Sequence, residues 1–164
     1  MENSTHKSIL QILERDARTT TAQIAAMLDI KEADAAAAIA KLEADGIIRR
    51  HKTIVDWELF GDERVYAFID VRVSPAREVG YDGVAERIYR FPQVHAVYLV
   101  SGGQDLRVII SGRTMKEVAS FVSERLAPID RIESCNTQFI LKRYKEDDEI
   151  FGEIDTDNRL VMAP

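Results

Sequence analysis

Beyond Gly61 the apolar residues of this chain change period, and that change limits the folds open to it. Before Gly46 they recur at three- and four-residue intervals, the spacing of helices packed through one face. From Val65 they alternate, with Val65, Ala67, Ile69, Val71 and Val73 on one side of an extended segment and Tyr66, Phe68, Asp70 and Arg72 on the other. Helices followed by a strand-bearing region imply an α+β chain of two domains.

The second region reads as strand, helix, strand, strand, helix, strand over residues 65–74, 81–90, 94–101, 105–111, 115–126 and 131–141. That order is the βαββαβ arrangement of ferredoxin-like folds, one antiparallel sheet with both helices on one face. Apolar groups stand on both sides of its strands. In the second strand Val94, Ala96, Tyr98 and Val100 alternate with Val97 and Leu99. The face away from the helices is therefore expected to rest on a second copy, because a contiguous apolar face is seldom left in water.

In the first region Ile9, Leu10, Ile12 and Leu13 place a helix over residues 8–16. Thr20 followed by Gln23 has the form of a capping box, opening a helix that runs to about Leu28 and buries Ile24, Ala25 and Leu28. Asp29 tolerates the left-handed corner between this helix and the next. A third helix over 32–45 is expected to turn Ala36, Ile39, Ala40 and Leu42 inward, with Gly46 as its C-terminal cap. Ile47, Ile48 and Ile54 flank Arg49, Arg50, His51 and Lys52, which reads as a two-stranded wing with a charged outer face. Three helices and a wing make a winged helix-turn-helix whose third helix addresses a DNA groove. The expected division is 1–54 for this DNA-binding domain, 55–64 for a linker strand, 65–141 for an effector-binding and oligomerisation domain, and 142–164 for a disordered acidic tail.

The 164 residues carry a net charge of −6, so any grip on double-stranded DNA must come from a local patch. The candidates are Lys31, Lys41, Arg49, Arg50, His51 and Lys52. The third helix itself opens with Glu32 and Asp34 and continues through Ala35, Ala36, Ala37 and Ala38, which place almost no donor into a groove. Binding is thus expected to rest on the basic run and on several domains acting together. Between two strands, Ser101, Gly102, Gly103 and Gln104 form a tight turn whose N–H groups suit a carboxylate, and Asp105 suits an ammonium. An amino acid presents both.

Other classes find little support. No run of eighteen apolar residues appears and the first residues are polar, so neither a membrane span nor a signal peptide is expected, and the reading is cytoplasmic. Cys135 is the single cysteine, without a partner for a disulfide or a zinc site. His6, His51 and His95 lack metal-ligand spacing, and neither a phosphate-binding loop nor a nucleophile elbow occurs. The expectation is a non-enzyme with no metal or cofactor.

Four stretches in this order resemble the Lrp/AsnC, or feast/famine, family of prokaryotic regulators over about residues 8–142. They are Ile9-Leu10 through Asp16-Ala17-Arg18, Ala25-Ala26-Met27-Leu28, Lys41-Leu42-Glu43-Ala44-Asp45-Gly46-Ile47-Ile48, and Leu99-Val100-Ser101-Gly102-Gly103-Gln104-Asp105. The resemblance implies homodimers that assemble further, DNA binding through the winged domain, and an amino acid or related metabolite as effector. It also implies an effector pocket at Ser101 to Asp105, completed by Thr137 and Gln138 on the last strand. In similar regulators the third helix commonly starts with a Ser or Thr cap and carries Arg-containing readers; Lys31 and the alanines depart from that pattern. Two alternatives remain at this point. One is a tetrapyrrole-binding enzyme of the sirohaem decarboxylase type, which shares both domains, and the other is an interaction module that does not bind DNA.

Overall fold

The structure is a computed structural model describing residues 2–74 and 80–152. The chain divides between Ile54 and Val55 into two compact units.

The first unit holds α1 (Glu2–Arg15), α2 (Thr21–Leu28) and α3 (Glu32–Ala44). α1 begins well before the apolar pattern does, because residues 2–7 contain no Gly or Pro to oppose helix. Ile9 and Leu13 meet Ile24, Ala25, Ala35 and Leu42 in one buried cluster. The capping box is formed: Thr20 Oγ1 accepts from the Gln23 N–H at 3.3 Å, and Gln23 Oε1 accepts from the Thr20 N–H at 2.8 Å. Thr20→Ala is expected to cost about 1 kcal/mol in urea unfolding; an unchanged midpoint would show that tertiary packing alone sets the start of α2. Asp29 takes the left-handed corner, with φ 52°.

Two expectations for this unit are corrected. The inward residues of α3 are Ala35, Ala38, Ile39 and Leu42, whereas Ala36 and Ala40 are exposed. A run of alanines gives the periodic pattern no amplitude, so the face was set by Ile39 and Leu42 alone. The second correction concerns the wing, since residues 49–56 carry no strand pairing. A two-residue hairpin turn calls for Gly, Asn or Asp, and Arg49 to Thr53 offers none. A lone two-stranded ribbon is in any case marginal. The segment is a single irregular arm.

The second unit opens on α4 (Trp57–Phe60), one helical turn in the stretch expected to be extended. Asp56 Oδ1 accepts from the Leu59 N–H at 3.0 Å, and Gly61 closes the turn at φ 89°. Then follow β1 (Val65–Val73), α5 (Asp82–Tyr89), β2 (Val94–Leu99), β3 (Leu106–Gly112), α6 (Met115–Phe121) with a π-helical continuation Val122–Leu126, and β4 (Ile132–Phe139). The sheet order is β2-β3-β1-β4 with every pair antiparallel, the ferredoxin-like arrangement. Ile69, Val71, Leu106, Val108 and Ile110 bury one sheet face against Ile88, Val118, Phe121 and Leu126. A register shift between Val94 and Ala96 sets Val94 opposite Ile110 on the helix side and Ala96 opposite Ile109 on the open side. These two were expected on one face; the extra residue of the bulge separates them.

Part of the tail is folded rather than disordered. β5 (Lys145–Glu146) pairs with β6 (Glu149–Ile150) through Asp147 and Asp148, whose φ values of 46° and 67° are those of a type I′ turn. Phe151 is buried beneath the Arg143 guanidinium, 3.5 Å from its ring centroid. Composition averaged over the tail concealed this aromatic anchor. The remainder, 153–164, lies outside the described residues.

Candidate functional site

Charge in the middle of an apolar strand marks the centre of the open sheet face. Asp70 on β1 stands opposite Arg107 on β3 in the ladder, and the two side chains form a bidentate pair. Arg107 Nε donates to Oδ1 at 2.7 Å and Nη2 donates to Oδ2 at 3.0 Å, while Gln138 Nε2 adds a third bond to Oδ2 at 3.2 Å. Asp70 is 6% exposed, yet the Arg107 hydrogen bonds hold its carboxyl below the ordinary aspartate value despite burial. The stabilisation from this group is therefore present above the unfolded carboxylate range and is lost as pH falls through the lowered value.

Beside the pair lies an open hollow of about 640 Å³, lined by Asp70, Leu99, Ser101, Gly103, Gln104 and Arg107 among others. The turn above it is closed by the Val100 N–H donating to the Asp105 carbonyl at 2.9 Å. Arg72 Nη2 donates to the Gly103 carbonyl at 3.3 Å, holding the turn over β1. The hollow offers a cation, a carboxylate and approachable backbone in one place, the set that an amino acid requires.

The structure brings some of the sequence candidates here and not others. Ser101 and Gly103 line the hollow; Gly102, at φ 134°, shapes the turn without lining it. Gln138 reaches the site through Asp70. Thr137 pairs with Ile69 and so belongs to the helix side of the sheet. Asp105 is turned to structural use: Oδ2 accepts from the Val73 N–H at 2.8 Å and Oδ1 from the Tyr81 hydroxyl at 3.2 Å, which raises the Tyr81 pKa. The carboxylate that lines the hollow is that of Asp70, not Asp105. Asp70 and Arg107 were missed, although a charge inside Phe68-Ile69-Asp70-Val71 and another inside Leu106-Arg107-Val108 were visible signals.

In the first unit the candidates divide by how they are held. Lys31 is exposed at the N-terminus of α3 and makes no side-chain cap. Lys41 bonds Asp45 at 2.9 Å, and His51 Nε2 lies 3.2 Å from Glu43 Oε1. Glu32 is drawn aside by the Thr21 hydroxyl, which donates to it at 2.9 Å. Arg49, Arg50, His51 and Lys52 are all exposed, and neither arginine is in an ion pair among the described residues. The exposed face of α3 offers mainly the methyl groups of Ala33, Ala36, Ala37 and Ala40.

Comparison with known proteins places both units. Residues 2–49 match the family model for winged helix-turn-helix DNA-binding, and residues 66–150 match that for the Lrp/AsnC ligand binding domain. The HTH-type transcriptional regulator YugG of Bacillus subtilis strain 168 is 45% identical over 157 residues, 95% of either chain. FL11 of Pyrococcus furiosus, also an HTH-type transcriptional regulator, is 26% identical over 144 residues, 88% of this chain and 92% of that one. Among solved structures, E. coli AsnC superposes with a TM-score of 0.70 at 20% identity, covering 87% of this chain and 94% of that one. The NMB0573/L-Met complex from Neisseria meningitidis gives 0.71 at 22% identity, covering 87% and 91%. These two likenesses concern the fold.

Proposed function

This chain belongs to the Lrp/AsnC family of DNA-binding transcriptional regulators, and from that premise we propose that it answers to an amino acid or related metabolite held in the hollow beside Asp70 and Arg107. The observation that carries the reading is that ion pair, set at the floor of a hollow whose rim is a glycine turn. A zwitterion bound there meets Arg107 with its carboxylate and Asp70 with its ammonium, exchanging one charge-assisted pairing for two. The L-Met complex of NMB0573, a protein of the same fold, supports the ligand class.

Its DNA contacts are assigned to Lys31, Lys41, Arg49, Arg50, His51 and Lys52, which fix position on the duplex rather than read bases. The protein works as a homodimer that assembles further. The support for this is the open sheet face, where Tyr66, Phe68, Ala96 and Ile109 are only half covered.

Titration calorimetry with the twenty amino acids and their keto acids tests the effector, and at least one is expected to bind. Failure of every one would return the glycine turn to a purely structural role. Selection of bound fragments from a random DNA pool, with and without those compounds, tests the coupling. Enrichment of a palindrome is the expected outcome for a dimer.

A further inference from the structure

Among the described residues, the large apolar side chains most open to water all lie on α4 and on the stretch after β4. They are Leu141, Leu59, Phe60, Tyr144 and Ile150, each between 67 and 89% exposed. The two stretches are distant in sequence and fastened together by Arg143. Its Nη2 lies 3.9 Å from the Asp56 carboxylate that caps α4, its Nη1 donates to Glu146 at 2.7 Å, and its guanidinium covers the Phe151 ring. The Phe151 N–H donates to the Tyr144 carbonyl at 2.9 Å, which holds the end of the hairpin in the same place. Apolar groups gathered in this way are seldom left in water. The sequence beyond Gly152 supplies a complement to them. It departs one arginine side chain away from α4, carries Glu153, Asp155 and Asp157, and then presents Leu160-Val161-Met162. Lys142 and Lys145 stand on either side of Tyr144, with charge opposite to those carboxylates. Eight extended residues from Glu153 span about 26 Å, more than this path requires.

We propose that Leu160, Val161 and Met162 dock in cis on the apolar platform of Leu59, Phe60, Leu141, Tyr144 and Ile150. This goes beyond the effector and DNA readings and holds without either. On an extended chain Glu153, Asp155 and Asp157 fall on one side, which lets them meet the lysines together while the apolar triplet reaches α4. The tether favours this occupant over a second copy, because a short linker holds its end at about millimolar effective concentration. Docking steadies α4, the first element after the boundary between the two units.

Trp57, the single tryptophan, reports on the platform, since its ring meets that of Phe60 edge-on at 6.0 Å. In the full chain, the triple variant Leu160→Ser, Val161→Ser, Met162→Ser is expected to raise the acrylamide quenching constant of Trp57 about twofold, as local cover is lost. Arg159 gives the reciprocal reading, because trypsin cleaves after it at a rate set by the undocked population. Leu59→Ser with Phe60→Ser, both at exposed positions, is expected to speed that cleavage about tenfold. Both measurements are made over a wide range of protein concentration. Effects in both that do not vary with concentration are the expected result. Either readout unmoved overturns the proposal, and so does protection that grows with concentration, which would put a second copy on the platform.

Discussion

Arg49→Ala with Arg50→Ala weakens binding to every duplex and lowers the slope of log K against log salt by about two per protomer, since each phosphate-neutralising cation contributes about 0.9. The expected loss is large because the rest of the DNA-facing surface is nearly neutral. On α3, Glu32 is engaged with Thr21 and Lys41 with Asp45, and the residues between them are mostly alanine. Lys31 and Lys52 are the other exposed lysines there that could neutralise phosphate. With two arms in a dimer the losses multiply, so affinity near physiological salt is expected to fall about a hundredfold or more. Fluorescence anisotropy across a salt series measures both quantities. An unchanged slope would move the phosphate contacts away from the arm.

Arg107→Met is expected to weaken effector binding by about ten- to a hundredfold, the loss that accompanies removal of a charge-assisted hydrogen bond to a carboxylate. DNA binding without effector should persist, because Arg107 lies in the second unit and in none of the DNA-facing elements. The same variant carries a pH signature that a merely absent ligand contact would not. With Arg107 gone, the Asp70 carboxyl loses its largest stabilising partner and keeps its burial, so its pKa rises. The folded state then takes up that proton at a higher pH, and acid unfolding begins at higher pH than in the parent chain. Calorimetric titration and acid-unfolding curves read the two effects separately. Unaltered affinity with a shifted acid curve would leave Arg107 a structural residue and relocate the effector.

The architecture was legible in the sequence where apolar residues are large and alternate. Val65 to Val73 announces β1 and its buried face, and Thr20 with Gln23 announces the start of α2. Legibility failed where a pattern had nothing to amplify or where the decisive contact is distant. Four consecutive alanines conceal which side of α3 faces the core. The candidate site depends on the pairing of Asp70 with Arg107, 37 residues apart, and on Asp105 turning toward Val73 and Tyr81. No local rule brings those partners together; only the β1–β3 register and the packing of α5 do. Asp105 has the right chemistry for an ammonium, and its two oxygens were taken by groups that the sequence alone does not place beside it.

That commitment of Asp105 also says where this fold can vary. Fastened to β1 and to Tyr81 at the start of α5, it is a fixed post from which the turn at 101–104 hangs. Substitutions and insertions in the turn reshape the rim of the hollow without reaching the sheet, whereas a change at Asp105 disturbs strand and helix together. On the proposed effector reading, ligand preference can diversify at these outer positions with the scaffold unaltered.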